Sequence, residues 1–302
     1  MYEPVGIAII THRATHLLPY CLPHLVRSTV PTKVLVMNSS SNDGTVELAQ
    51  SLGAETFVIP RNEFNHGTTR EVARKILNTN IVVMMTPDAF PQGPDLIEIL
   101  VDPILRGAAS VSYARQLPHQ GAGFFESFPR FFNYPEVSHI RRLQDVSLHG
   151  IYSVFCSNSC AAYLNAALDE VGGFPHVLLG EDTLVIAKLL QSGHAIAYNA
   201  EAVVHHSHTY SLIQEFKRHF DVGLMRTTYK SLLSQYGRDV KRGRDYVKKL
   251  FREVLRNEPR KIFYAFLHVF SKWLGYRLGA ISQRAPVWIK RRLSSQDFYW
   301  KD

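Results

Sequence analysis

The chain has 302 residues, 46% of them apolar and 20% charged, with a formal charge of +8. That size and balance exclude a disordered or fibrous chain and allow one large domain or a domain with an appendage. The charge is uneven: between residues 241 and 292 fifteen Lys/Arg stand against three Asp/Glu, which leaves the remainder mildly acidic. Cys21, Cys156 and Cys160 form no CxxC pair and no closed disulfide set, as expected in a reducing compartment. Residues 1–4 lead straight into an apolar run without the basic and apolar regions of a secretion signal. No run of about 18 apolar residues offers a bilayer span, so a cytoplasmic protein is expected.

In chain order, short apolar runs at residues 5–10, 33–37, 55–59, 81–85 and 108–113 alternate with helix-length segments at 16–28, 45–52, 68–77 and 95–105. This alternation predicts an α/β domain with a mostly parallel sheet and helices on both faces. Asp43-Gly44-Thr45 predicts a turn followed by a cap, Thr68 or Thr69 a cap for the helix carrying Arg70, and Gly53 a helix stop. Residues 124–135, aromatic and interrupted by proline, predict a mobile loop, and apolar patterning resumes at 151–155. Short helices are expected at 164–171 and 182–191, each closed by glycine, with short strands at 195–198 and 201–204. Residues 211–236 and 239–293 read as helical, broken at Pro259 and Pro286. The expected division is a catalytic domain over 1–210 and a basic, aromatic helical region over 211–302.

Ligands of open parallel sheets bind beyond the carboxyl ends of the strands. The residues following the first four runs are polar: Thr11-His12-Arg13, Asn38 to Thr45, Arg61 to Arg70, and Thr86-Pro87-Asp88. Turn propensity alone accounts for any one of them; four on one edge point to a site. Asp88 leaves a buried strand, and a hard divalent cation carrying phosphate needs only one or two protein carboxylates. His206 and His208, at i and i+2 on an extended segment, share a face suited to metal ligation, although surface histidines would look the same. Glu181 and Asp182 open a helix, where they either favour its dipole or supply a general base.

Several of these segments, in this order, resemble the inverting glycosyltransferases of family 2, and among them the bacterial rhamnosyltransferases of surface-polysaccharide assembly. They are Asn38 to Thr45, Phe64-Asn65-His66-Gly67-Thr68-Thr69-Arg70, Thr86-Pro87-Asp88-Ala89, Ser157-Asn158, Glu170 to Pro175, Glu181-Asp182, and His206-Ser207-His208-Thr209-Tyr210-Ser211. The resemblance spans about residues 5–211 and implies a GT-A fold with a C-terminal helical extension. It implies a donor and nucleotide pocket of Thr11, His12, Arg13, Asn38, Asn65, His66 and Arg70, with Arg13 and Arg70 suited to phosphate. Asp182 would be the base that deprotonates the acceptor hydroxyl, with Ser157, Asn158 and Glu181 on the acceptor side. Asp88, His206 and His208 would hold Mg²⁺ or Mn²⁺. Asn38 stands where the family usually has Asp, and Thr86 where it has the first acid of Asp-x-Asp, so the metal expectation rests on Asp88 and the histidines.

The implied reaction moves a deoxyhexose, L-rhamnose from dTDP-L-rhamnose, onto a sugar hydroxyl of a lipid-linked polysaccharide. Another nucleotide-sugar donor, a nucleotidyltransferase releasing pyrophosphate, and a non-catalytic scaffold are the alternatives. The basic C-terminal region, with Phe263, Phe266, Phe270, Trp273 and Trp288 interleaved, reads as an element for the inner face of a membrane or for a second copy of the chain. No nucleic-acid motif accompanies its charge.

Overall fold

One mixed sheet organises the computed structural model, which describes residues 3–237 and 240–300. The first half alternates strictly: β1 (Val5–Thr11), α1 (Leu18–Val26), β2 (Thr32–Asn38), α2 (Thr45–Ser51), β3 (Glu55–Val58), α3 (His66–Leu77) and β4 (Ile81–Met85). There follow β5 (Phe90–Pro91), α4 (Leu96–Leu105), β6 (Val111–Leu117), α5 (Phe124–Asn133), β7 (His139–Arg141), α6 (Val146–His149), β8 (Cys160–Leu164), α7 (Asn165–Glu170), α8 (Glu181–Gln191) and β9 (Ile196–His205). The remaining helices are α9 (Leu212–Thr228), α10 (Lys230–Leu233), α11 (Val240–Asn257), α12 (Ile262–Ile281) and α13 (Val287–Leu293).

The strand order is β3-β2-β1-β4-β8-β6-β9-β5, with β7 also paired to β9. β1 to β4 run parallel, and β6 and β9 are parallel to each other. β8 is antiparallel to both β4 and β6. Because side chains alternate across a strand, Ala8, Ile10, Leu35, Met37, Val82 and Met84 enter one apolar cluster with Ala73 of α3 and Leu184 of α8. Ile7, Ile9, Val34, Val36, Val83 and Met85 enter the opposite cluster with Leu22 of α1 and Leu100 of α4. This two-sided burial produces the uninterrupted apolar runs of the sequence.

The expected mobile loop at 124–135 is instead α5. Its aromatic face packs on the C-terminal helices, with Phe128 5.1 Å from Tyr246 and Phe125 4.8 Å from Tyr264, and this packing overrides the interior Pro129. The apolar run at 151–155 lies in a 3₁₀ turn, Gly150–Val154, because periodicity cannot separate a short buried turn from a strand. Buried Arg141 holds that turn through the carbonyls of Tyr152 and Phe155. The two late strands are one, β9, bulged opposite Ala114 and Arg115. Asn65, rather than Thr68 or Thr69, caps α3, accepting from the Gly67 and Thr68 N–H groups. Gly44 stands at the N-cap of α2 with no side-chain cap. The expected helical start at Asp239 lies outside the described residues.

The C-terminal layer is built on α9 against α12. A Cβ on Gly223 would lie 2.1 Å from the Tyr276 carbonyl oxygen, and one on Gly279 1.9 Å from that of Phe220. Only glycine permits that approach, a requirement invisible without the partner helix.

Candidate active site

The sheet topology gathers the expected residues at one edge. Thr11 pairs with Asn38 at the carboxyl ends of β1 and β2, and β4 ends at Met85, just before Asp88. β8 runs the other way, so Ser157 and Asn158, preceding its first residue, arrive at the same edge, where Cys160 pairs with Met85. β9 ends beside β6, with His205 paired to Leu117, and delivers His206 and His208 there as well.

Asp88, His206 and His208 form one cluster, their ligand atoms all within 4.8 Å of one another. Asp88 Oδ1 lies 3.5 Å from His206 Nε2, and its Oδ2 3.5 Å from His208 Nδ1. The segment alternates as an extended chain should: His206 and His208 face Asp88, while the Ser207 and Thr209 hydroxyls donate to Glu126 on α5. The Gln116 carboxamide orients His206. Its Oε1 accepts from His206 Nδ1–H at 2.9 Å and from Arg130, and its Nε2 donates to Ser157 Oγ at 2.9 Å. The Arg130 guanidinium can only donate, so that amide atom is the oxygen, and Nε2 of His206 is the lone-pair nitrogen.

Burial lowers both imidazoles, His208 to about 3, where His206 adds to the effect. Burial opposes ionisation of Asp88, but His206 and His208 outweigh it and hold the carboxyl below its ordinary range. One carboxylate and two neutral imidazoles fit a divalent ion that keeps open positions for phosphate oxygens.

A second cluster surrounds the start of α8. Glu181 Oε1 accepts from Arg70 Nη1 at 2.7 Å and from Asn158 Nδ2 at 3.1 Å, with Arg70 and Glu181 both buried. Tyr163 donates to Asn158 Oδ1 at 2.7 Å and fixes that amide. Asp182 is half-buried and accepts from the Thr183 N–H at 2.6 Å, with the Asn158 backbone as a second, weaker partner. Burial and the neighbouring Glu181 charge push its carboxyl up to about 7. Glu181, which has captured the cation, stays below its usual value despite its burial. Burial and Arg70 lower His66 to about 4. Asn65 ties this region together, donating to the Val177 carbonyl at 2.7 Å. Gly67 lets α3 reach it, since a Cβ there would lie 1.8 Å from the Pro175 oxygen.

The turn after β2 forms a third group. Asn38 donates to Ser41 Oγ and accepts from Ser41 N–H, both at 2.8 Å. Thr11 donates to the Met37 carbonyl, and His12 Nδ1–H to that of Ser39 at 3.2 Å. Asp43 accepts from Thr15, Ser41 and Thr45. The buried amide and hydroxyl of Asn38 and Thr11 are thus spent on the turn, while His12 and Arg13 are exposed, Arg13 with φ 52°. Arg70, expected at phosphate, has its guanidinium on Glu181. Sequence reading missed Gln116, Arg130 and Arg61. Arg61 reaches Ser39 Oγ at 3.0 Å; it lay within a polar strand exit, whereas Gln116 and Arg130 carried no local signal.

Comparison with known proteins agrees with this geometry. The profile described as glycosyl transferase family 2 matches residues 6–172. The chain is 37% identical over 306 residues to the O-antigen chain rhamnosyltransferase RfbN of Salmonella typhimurium, covering 99% of this chain and 96% of that protein. It is 35% identical to the O-antigen chain rhamnosyltransferase WbaN of Salmonella anatum, covering 90% and 87%. Among solved structures, the mannosyltransferase PcManGT of Pyrobaculum calidifontis, in complex with GDP-Man and Mn²⁺, superposes with a TM-score of 0.58 at 14% identity. That match covers 95% of this chain and 76% of that one, and it shows a shared fold.

Proposed function

This chain belongs to glycosyl transferase family 2 and is a glycosyltransferase of GT-A fold, and from that premise we propose that it transfers L-rhamnose from dTDP-L-rhamnose to a sugar hydroxyl of a lipid-linked polysaccharide, with inversion. The observation that carries the mechanism is Asp182, a half-buried carboxylate raised to about 7 at the edge that also gathers Asp88, His206 and His208. A base is most effective when its pKa lies near the working pH. Asp182 takes the proton of the acceptor hydroxyl as that oxygen attacks the anomeric carbon. The bond from that carbon to the diphosphate oxygen breaks on the opposite face, and its electron pair leaves with the nucleoside diphosphate. Asp88, His206 and His208 would hold a divalent ion, Mn²⁺ or Mg²⁺, which when bound neutralises charge on the diphosphate. The rhamnosyl assignment is supported by the names of two relatives alike over most of the chain.

Purified protein is offered a panel of nucleotide sugars with Mn²⁺, and released nucleoside diphosphate is measured. Turnover confined to dTDP-rhamnose is expected. Turnover with another donor overturns the sugar assignment, and pyrophosphate release overturns the reaction.

The same reading places the acceptor at the inner membrane surface, with residues 211–302 as the docking region. Phe263, Phe266, Phe270 and Trp273 lie on the outward face of α12, exposed by 72%, 60%, 55% and 55%, and the helices on either side of it in the chain, α11 and α13, are basic. Such a face suits an anionic bilayer. Among the described residues no helix is long and apolar enough to cross one. Flotation with phosphatidylglycerol vesicles, lost in the triple variant Phe266→Ser/Phe270→Ser/Trp273→Ser, is expected. A concentration-dependent dimer that fails to float would assign the face to a second copy instead.

A further inference from the structure

Residues 294–300, after α13, return to the catalytic edge. Asp221, wholly buried on α9, anchors them by accepting from the Ser295 N–H at 2.8 Å and from its hydroxyl at 2.5 Å. Beyond that anchor the Phe298 ring meets Phe64 at 5.4 Å, and the Arg61 guanidinium sits over both rings, 4.7 and 5.3 Å from their centres. Tyr299 stacks on His176 at 5.5 Å and 27°, and Trp300 stands nearly perpendicular to Tyr299. Phe64, His176, Phe298, Tyr299 and Trp300 together line an open slot of about 260 Å³. The Nε1–H of Trp300 is buried without an acceptor among the described residues.

The slot adjoins the carboxylate pair. Phe64 precedes Asn65 and His66; the His66 ring lies 4.9 Å from that of Phe64 and within electrostatic reach of Arg70 and Glu181. His176 precedes Val177, whose carbonyl Asn65 holds, on the loop that ends at Glu181.

We propose that this slot, closed by the chain's own C-terminal tail, is a saccharide subsite that takes one pyranose ring of the acceptor beside Asp182. Flat rings meet the C–H face of a sugar, while Tyr299 and His176 offer polar edges to its hydroxyls. The volume falls below the roughly 300–1,000 Å³ of sites for drug-sized ligands, which suits a single sugar ring. The inference rests on the glycosyl-transfer reading for its ligand but is tested without turnover.

The full chain is labelled with ¹⁵N, and the indole resonance of Trp300 is identified by its loss in Trp300→Phe. Methyl rhamnoside, galactoside, mannoside and glucoside, and separately dTDP, are titrated. The Trp300 indole is expected to shift with at least one pyranoside and to stay still with dTDP. Tyr299→Phe, which keeps the ring and removes the hydroxyl, is expected to weaken that pyranoside about 3- to 10-fold by calorimetry, in line with loss of one hydrogen bond. A shift with dTDP alone makes the slot a nucleobase platform and overturns the proposal. No shift with any probe makes it packing only and overturns it equally. Failure of the donor screen tells against the transferase reading, whereas the indole titration reports on the slot alone.

Discussion

Asp88 and Asp182 are both half-buried aspartates at the same sheet edge, yet their surroundings drive them in opposite directions. Asp88 faces two imidazoles, whose hydrogen bonding and charge when protonated outweigh the burial and hold its carboxyl below the ordinary range. Asp182 sits beside a second carboxylate that has already taken the nearest cation, so burial and repulsion act together to raise it. Residue type and exposure are nearly the same; the partners decide that one suits a cation and the other a proton.

The comparison breaks most readily at Asp182. Asp182→Asn keeps the shape and removes the base, so transfer is expected to fall about 10²- to 10⁴-fold with no loss of melting temperature; transfer within tenfold of the parent would move the base elsewhere. Next comes the cation that distinguishes the two sites. Arg70→Met leaves Glu181 buried without a counter-charge and is expected to cost about 3–5 kcal/mol, read by urea unfolding. A second change, Arg70→Met/Glu181→Leu, should recover most of that loss if the pair is buried as described. On the Asp88 side, Gln116→Leu removes the acceptor that fixes the His206 ring. Mn²⁺ affinity, followed by electron paramagnetic resonance, is expected to drop about 10- to 100-fold; an unchanged affinity would leave Gln116 with packing alone.

Most of this edge was legible in the sequence because its logic is local. The apolar runs of β1, β2 and β4 announced a sheet buried on both faces, and the residues after each strand announced the edge where ligands bind. His206 and His208 could be paired from their spacing, since an extended chain returns to the same face every second residue. What escaped was non-local. β8 enters antiparallel between two parallel strands, and no residue within 160–164 carries that direction. α5 owes its form to aromatic rings more than a hundred positions away, and Gln116 matters only because His206, Ser157 and Arg130 converge on it. Arg70 is expected at phosphate from its place after β3, and its ion pair with Glu181, 111 residues further on, carries no local signal.

The smallest effect expected is also the one that separates the two causes acting on Asp182. Glu181→Gln removes the neighbouring negative charge, and it frees Arg70 to interact with Asp182. Both changes favour the ionised form of Asp182, so its pKa must fall. The base is usable only when deprotonated, so the acid limb of the rate–pH profile, near pH 7 in the parent, should move to lower pH. Burial remains the larger influence and is untouched by the variant, which limits the shift to about one unit, or 1.4 kcal/mol. A weaker base abstracts a proton less readily, so the plateau rate should fall even as the limb moves. A limb that stays near 7 would show burial acting alone, with Glu181 serving only to hold Arg70 and Asn158. A limb that moves to the ordinary carboxylate range, near pH 4, would show the reverse, that repulsion from Glu181 was the whole of the shift.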